Sequence, residues 1–350
     1  MKRSKIYKAL VVFILTIFLS GCWDIKDVNK RSIPLVMGIS KEGDKNFELT
    51  LQIPIPKSEN QVSRTVTERS GSIAGALGKI QTNSENAMDY SQIQLIVIQK
   101  NLARNEQEFK NLIKFLMGSE EIPSRALVAI TSENVKNVLS NINDKLGVHA
   151  SAIYDYFYKG SVWSPELFST PIWAVYRSLF LSTKDIAIPS VRSGKDTVLV
   201  FEGSYIFKRG KLTDRISPEE TQLINMFNNK KIKGKIETLG FASVVITDNS
   251  ISSEVSLKND IAHISSTLDL EIHVLEKEDG VTNKQIEKKL EKVNKERFYT
   301  LLSKTQKNNT DIFGFGQQFQ NVIPYPKLYH WRNEYYPHLK MKFKVKAKIE

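Results

Sequence analysis

The residue best placed to do chemistry is Cys22, the single cysteine of the 350-residue chain. It closes the tetrapeptide Leu19-Ser20-Gly21-Cys22, behind an apolar run from Ala9 to Leu19 and a basic start of Lys2, Arg3, Lys5 and Lys8. That run is 11 residues long. At about 1.5 Å per residue, a helix of that length covers roughly half of a ~30 Å hydrocarbon core. It is too short to span a bilayer and has the length and flanks of a secretory h-region. A thiol here is a candidate for lipid attachment, because the thiolate is the attacking nucleophile. Small residues at Ser20 and Gly21 suit a peptidase that grips the backbone just before its cut. The plainer alternative is an ordinary signal peptide, or an uncleaved anchor, with an incidental cysteine.

The tetrapeptide in this position resembles the lipobox of bacterial lipoproteins. The resemblance implies a diacylglyceryl thioether on the Cys22 sulfur and cleavage between Gly21 and Cys22, which makes residues 1–21 a signal peptide and leaves 329 residues. Asp24 reads as a solvated linker residue, the other reading being a sorting signal.

Other chemistry finds little support. The histidines are His149, His263, His273, His330 and His338, and none falls at HxxxH or HExxH spacing, so a zinc site has no sequence signature. There is no Gly-x-Ser-x-Gly elbow and no Walker loop. Glu120-Glu121 and Glu219-Glu220 read as loop and helix-start charges. A hydrolase acid pair cannot be found by spacing alone, so that class stays open. With Cys22 acylated, no thiol remains for disulfides, thiolate catalysis or thiolate metal sites. Net charge is +12, of which +8 remains after the four N-terminal cations are removed. A basic surface suits an anionic membrane; nucleic acid is not expected outside the cytoplasm, and simple solubility accounts for most of the lysines.

The elements that would position a site come next. Ile33–Ile39 and Phe47–Ile53 read as a hairpin, ended by Pro54 and Pro56. Lys57–Arg69 reads as a polar loop. Ser70–Met88 contains a helix with Ile73, Ala76, Leu77 and Ile80 on one face. Its Gly71, Gly75 and Gly78 form a phosphate cradle only if a strand directly precedes them. Gln92–Gln99 is a strand, Asn105 caps a helix bearing Phe109, Leu112, Ile113 and Leu116, Ala126–Thr131 is a strand, and Ser132 caps a short helix with Val135, Val138 and Leu139. Strand and helix alternating this way mean a sheet with helices packed on it. Residues 152–181 hold nine aromatics, either a partner surface or a core stripe. Ala187–Lys195 reads as a boundary, so the chain divides into 22–195, with a possible split near 55, and 196–350.

In the second part, Val198–Phe207 gives strands and Arg209-Gly210 a turn. Ser217-Pro218-Glu219-Glu220 is a helix start. Strands follow at 241–247, 253–258 and 261–276. Thr282 and Gln285 form a capping box for a helix from Asn283 to about Lys304. The last strand, Lys340–Ile349, alternates five lysines with Met341, Phe343, Val345, Ala347 and Ile349. The lysine face either meets anionic lipid or peptidoglycan, or keeps a solvent-facing or edge strand from aggregating. The fold class is α+β, multidomain, with mixed β-sheets flanked by helices.

Several stretches together carry a family resemblance. They are Leu19-Ser20-Gly21-Cys22-Trp23-Asp24, Gly203-Ser204-Tyr205-Ile206-Phe207-Lys208, Ser217-Pro218-Glu219-Glu220-Thr221 and Asp311-Ile312-Phe313-Gly314-Phe315-Gly316, with Trp331 beyond. In this order the chain resembles the Ger(x)C family of spore germination proteins. The resemblance implies a lipid-anchored C subunit of a nutrient germinant receptor on the outer face of the spore inner membrane. Its partners would be membrane lipid, through acylated Cys22, and multi-spanning A and B subunits. It implies three mixed α/β domains, no catalysis and no cofactor. Only Cys22 carries over with a defined role. Gly314 and Gly316 are expected to allow a tight turn. The competing readings are a solute-binding lipoprotein of an import system, with a cleft between two lobes, and a cell-wall hydrolase.

Overall fold

The computed structural model describes residues 31–43, 46–55, 63–146, 157, 166–228 and 230–350. Cys22 and Gly21, the expected lipidation and cleavage residues, lie outside the described residues.

The strands are β1 (Arg31–Ser32), β2 (Val36–Glu42), β3 (Asn46–Pro54), β4 (Ser63–Ser70), β5 (Ala87–Met88), β6 (Leu95–Gln99), β7 (Leu127–Thr131), β8 (Ile186–Ser193), β9 (Leu199–Lys208), β10 (Lys211–Ile216), β11 (Ile236–Thr238), β12 (Ala242–Lys258), β13 (Ile261–Lys277) and β14 (Lys340–Ile349). The helices are α1 (Ile73–Asn83), α2 (Lys100–Arg104), α3 (Glu106–Gly118), α4 (Val135–Leu146), α5 (Ile172–Ser178), α6 (Pro218–Phe227), α7 (Asn283–Lys307), α8 (Phe315–Gln318) and α9 (Tyr325–Leu328). The chain is α+β with mixed sheets, as expected.

An eight-stranded sheet runs in the order β10-β9-β8-β7-β6-β2-β3-β4. Its centre, β8-β7-β6-β2, is parallel and its flanks are antiparallel. The central strands read as unbroken apolar runs because both faces are covered. Met37, Ile39, Ile96, Ile98, Val128 and Ile130 enter a core with α1, α3 and α5, while Val36, Leu95, Val97, Leu127 and Ala129 face α4 on the other side. Gly38 lets α4 come close, since a Cβ there would stand 2.3 Å from Val135 Cγ1.

A four-stranded sheet follows, β11-β12-β13-β14. β12 and β13 form one hairpin of two 17-residue strands rather than the shorter expected strands. Their turn, Asn259-Asp260, has φ of 51° and 59°, the left-handed pair that matches strand twist. A bulge between Ile246 and Asp248 carries β12 through the polar stretch that suggested a break. Both expected capping boxes form, Ser217 with Glu220 and Thr282 with Gln285.

Other local expectations change. Ser63–Ser70 is a strand, not loop: β-branched Thr65, Val66 and Thr67 pair with β3, and Arg69 bonds Glu48 across the ladder. The helix after β7 is capped by Asn134, whose Oδ1 accepts from Lys136 N, while Ser132 pairs with the Tyr205 hydroxyl. A strand thus does precede Gly71, yet the Ser72 hydroxyl already accepts from Gly75 N at the start of α1. Ala187–Lys195, expected to be a boundary segment, contains most of buried strand β8; Pro189 fits because the register shifts between it and Val191. Residue 195 therefore lies in the connection between two paired strands, β8 and β9, and residue 55 between β3 and β4.

The outer edge of β14 meets α7. Tyr299 Oη accepts from Phe343 N, Glu291 Oε1 from Ala347 N and Glu287 Oε1 from Ile349 N, at 3.1 Å each. Spacing by four and eight residues puts these three on one helix face. Removing Glu287 and Glu291 together, as the double alanine variant, is expected to lower stability by about 1 kcal/mol per lost bond and to expose a pairing edge. Light scattering against concentration checks this: the variant should associate where the parent stays monodisperse.

Candidate functional site

The segment Asp311–Gly316 builds the most highly connected polar centre of the molecule. Asp311 is fully buried, and its carboxylate accepts from Gly314 N at 2.8 Å, Phe315 N at 3.0 Å, Gly316 N at 2.8 Å and Trp331 Nε1 at 2.8 Å. The chain turns around its own carboxylate, so the turn needs two glycines for different reasons. Gly314 has φ 73°, which disfavours an L side chain. Gly316 is tight by contact: a Cβ would stand 2.7 Å from the Trp331 ring and 2.9 Å from Thr183 Cβ. The expectation of a turn holds for Gly314; for Gly316 the requirement is the seating of Trp331.

Asp185, just before β8, joins this centre from 126 positions away. Asp311 N donates to Asp185 Oδ2 and Asp185 N donates to the Asp311 carbonyl, both at 2.8 Å. Arg332 grips Asp185 with two bonds, Nη2 to Oδ1 at 2.6 Å and Nε to Oδ2 at 3.0 Å. Lys184 Nζ bonds Asn228 Oδ1 at 2.7 Å. Burial pushes the Asp311 carboxyl up to about 6, opposed by its N–H donors. Burial also raises Asp185, against Arg332, and holds the Lys184 ammonium below its ordinary value. Around the centre, Phe227, Phe298, Phe313, Phe315 and Phe343 pack ring on ring at 4.2–5.6 Å.

This arrangement holds rather than reacts. Asp311 spends its acceptor capacity on four N–H groups and touches no solvent, so it has no route to a substrate proton. Among the described residues, no group of three or more His, Asp or Glu side chains is placed to hold a metal ion. Three surface clefts of about 390, 470 and 460 Å³ are lined by Ser91–Gln94 with Arg125 and Ala126; by β3, β4 and α1 with Asn134 and Lys136; and by Phe241 with Glu278, Val281 and the start of α7.

Of the aromatics expected at 152–181, Phe157 is core, edge-on to Phe201 at 5.4 Å, whereas Trp173 and Phe180 are exposed. Tyr154, Tyr156, Tyr158 and Trp163 lie outside the described residues. The five lysines of β14 point to the open face of the small sheet, opposite α7, and Lys346 stands 3.8 Å from Asp269. Sequence reading missed Asp185 and Arg332. Neither sits in a motif, and their only signal is a charge directly beside an apolar segment.

The fold and the site thus define an α+β protein whose two larger sheets are joined by a buried ionic centre. Two family profiles match: "Spore germination protein N-terminal domain" over residues 24–193 and "Spore germination B3/GerAC like, C-terminal" over residues 202–350. The chain belongs to this Ger(x)C family of spore germination proteins. It is 26% identical over 237 residues to spore germination protein A3 of Bacillus subtilis (strain 168), matching 66% of this chain and 62% of that one. It is 19% identical over 356 residues to spore germination protein GerQC of Bacillus cereus, matching 97% of each. It is 25% identical to B. subtilis spore germination protein B3, spanning 60% of that relative's length. The crystal structure of the GerBC protein shares the fold, with a TM-score of 0.59 at 15% identity, covering 89% of this chain and 96% of that one.

Removing Arg332 leaves Asp185 buried without its counter-charge. Arg332→Leu is expected to cost roughly 3–5 kcal/mol in chemical denaturation. The pH dependence follows from Asp311, whose folded value of about 6 lies above the ordinary 3.8. The folded state therefore holds this proton more tightly. Its contribution is fully present below about pH 4 and is lost as pH rises through 6, by up to about 3 kcal/mol. Denaturation of parent and Asp311→Asn side by side checks this: the parent's advantage should shrink between pH 4 and 7, and a constant difference would contradict it.

Proposed function

We propose that this chain is the lipid-anchored C subunit of a nutrient germinant receptor. The observation carrying this reading is the pairing of family membership across 24–193 and 202–350 with Leu19-Ser20-Gly21-Cys22 at the end of an h-region. Residues 1–21 are removed, Cys22 takes the diacylglyceryl group, and the folded part stands on the outer face of the spore inner membrane. It acts without catalysis, as a rigid partner of the multi-spanning A and B subunits. A tether raises its effective concentration beside them. At about 0.8 kcal/mol per buried CH₂, two or three acyl chains anchor durably where one exchanges. The closed polar centre supports a holding role, because a partner that transmits force between membrane subunits must resist shear between its own two sheets.

Intact mass and membrane fractionation of the protein from spores test this, with the parent set beside Cys22→Ala. The parent should run with the membrane as a chain beginning at Cys22 with a diacyl adduct, and the variant should lose both the adduct and nutrient germination. An unmodified, soluble parent chain would overturn the reading and promote a secreted binding protein.

A further inference from the structure

Nine large apolar side chains are exposed among the described residues, and five of them, Trp173, Phe180, Ile261, Tyr325 and Tyr329, belong to segments that form one surface. Direct contacts connect it. Trp173 and Phe180 lie seven residues, about two turns, apart along α5 and its end, with Tyr176 edge-on to Phe180 at 5.2 Å. Leu179, next to Phe180, packs at Gly210 of the β9–β10 turn, as does Lys110 of α3. In the same turn the Arg209 guanidinium lies over the Tyr329 ring at 5.3 Å. Tyr329 closes α9, whose Lys327 reaches Asp260, the neighbour of Ile261. Exposure is high for a soluble surface: 46% for Trp173, 60% for Phe180, 81% for Tyr325 and 53% for Tyr329.

The middle of this apolar band is basic. The turn reads Lys208-Arg209-Gly210-Lys211, with Lys110 beside it. Arg209 holds φ 48°, a left-handed conformation uncommon for Arg, and its Nε is buried without a hydrogen-bond partner among the described residues. Lys208 sits among Arg209, Lys211 and Arg332, with Asp185 the opposing charge. Glu106 stands on the surface too, engaged by Lys110, as does Asp260, 3.9 Å from Lys327. Aromatic rings flanking a cationic turn match a lipid interface, where rings sit at headgroup depth and Lys or Arg meets phosphate.

The band also lies at the tether end. Trp173 N bonds the Ser124 carbonyl, beside the cleft formed by Ser91–Gln94 and Arg125. Arg31, where the described chain begins, pairs with Asp89 at 3.0 Å, two residues from Ser91. Arg31 stands nine positions after Cys22, a reach of about 30 Å at most.

We propose that the surface from Trp173 and Phe180 across the Lys208–Lys211 turn to Tyr325 and Tyr329 is a second membrane contact, which lays the protein against an anionic phospholipid surface. This rests on the membrane-associated reading above. The acyl chains fix one point, and the band fixes the orientation of the two sheets over the bilayer.

Sedimentation of the mature chain, Cys22–Glu350 carrying Cys22→Ser, with vesicles tests it. The vesicles are phosphatidylcholine alone or phosphatidylcholine mixed with phosphatidylglycerol. Binding to the mixed vesicles should exceed binding to the neutral ones by about tenfold or more and should fall with salt. Arg209→Asn with Lys211→Asn should lower it about tenfold; Asn tolerates the left-handed backbone at 209. Phe180→Ser with Tyr325→Ser should lower it by roughly fivefold. Lys342→Gln with Lys344→Gln and Lys346→Gln, on the other charged face, should leave it unchanged. Thermal melts of each variant check that it remains folded like the parent. Three results would each overturn the proposal: equal binding to both vesicle types, binding that survives the turn and aromatic variants, and binding abolished by the β14 lysine variant. The probe carries no acyl chain, so failure here leaves Cys22 acylation standing, and an unacylated Cys22 in spores leaves the vesicle result standing.

Discussion

The structure depends on one buried exchange of charge and hydrogen bonds between Asp311, Asp185 and Arg332. Two carboxylates in a dry interior repel and lose hydration, and one guanidinium offsets only part of that cost. The remainder is met by backbone N–H groups, three of them from a loop folded round Asp311. The reciprocal bonds between Asp185 and Asp311 tie the approach to β8 to the segment after α7. That tie adds a directional, buried restraint to the apolar packing between the two large sheets, which is non-directional and does not fix an angle.

Apolar packing then fills what the ionic centre positions. The largest core draws Ala187, Ile206 and Ile216 from the eight-stranded sheet into the same cluster as Val244, Leu270 and Phe343 from the four-stranded one. Buried helix α6 lies within it, nearly every residue from Thr221 to Phe227 hidden. The two profile-matched regions share a core, and their relative placement is set by side chains of both.

The sequence declared the elements whose signals are local. Capping boxes at Ser217 and Thr282 involve residues three apart, and the structure closes both. The apolar runs of β2, β6 and β7 likewise announce burial on both faces. What was not legible depends on partners distant along the chain. β4 looks like loop because its polar residues find their bonds on β3, as Arg69 does with Glu48. β8 looks like a linker because Pro and Ser mark breaks in most chains, and here a bulge beside β9 absorbs the proline. Asp185 and Arg332 are 147 positions apart, and no spacing rule can pair them. Asp311–Gly316 was visible as a motif, but its reason, a carboxylate wrapped by its own turn and capped by Trp331, appears only in three dimensions.

The treatment of strand edges shows how far the chain goes to stay unpaired. Four edge strands bound the two large sheets, and helix side chains bond backbone groups on three of them. On β14 these are Glu287, Glu291 and Tyr299 of α7. The same helix reaches β10 at its other end, where Lys304 Nζ donates to the Arg215 carbonyl and stands 3.4 Å from Asp214. On β4, Lys79 of α1 donates to the Arg69 carbonyl. An edge closed by bonded side chains does not need lysines to repel a second strand. The lysines of β14 lie on the sheet face instead, so their work is to keep a broad, open β surface in water. An aromatic band left bare on a protein this careful about its edges is therefore unlike the rest of its surface, and calls for a function of its own.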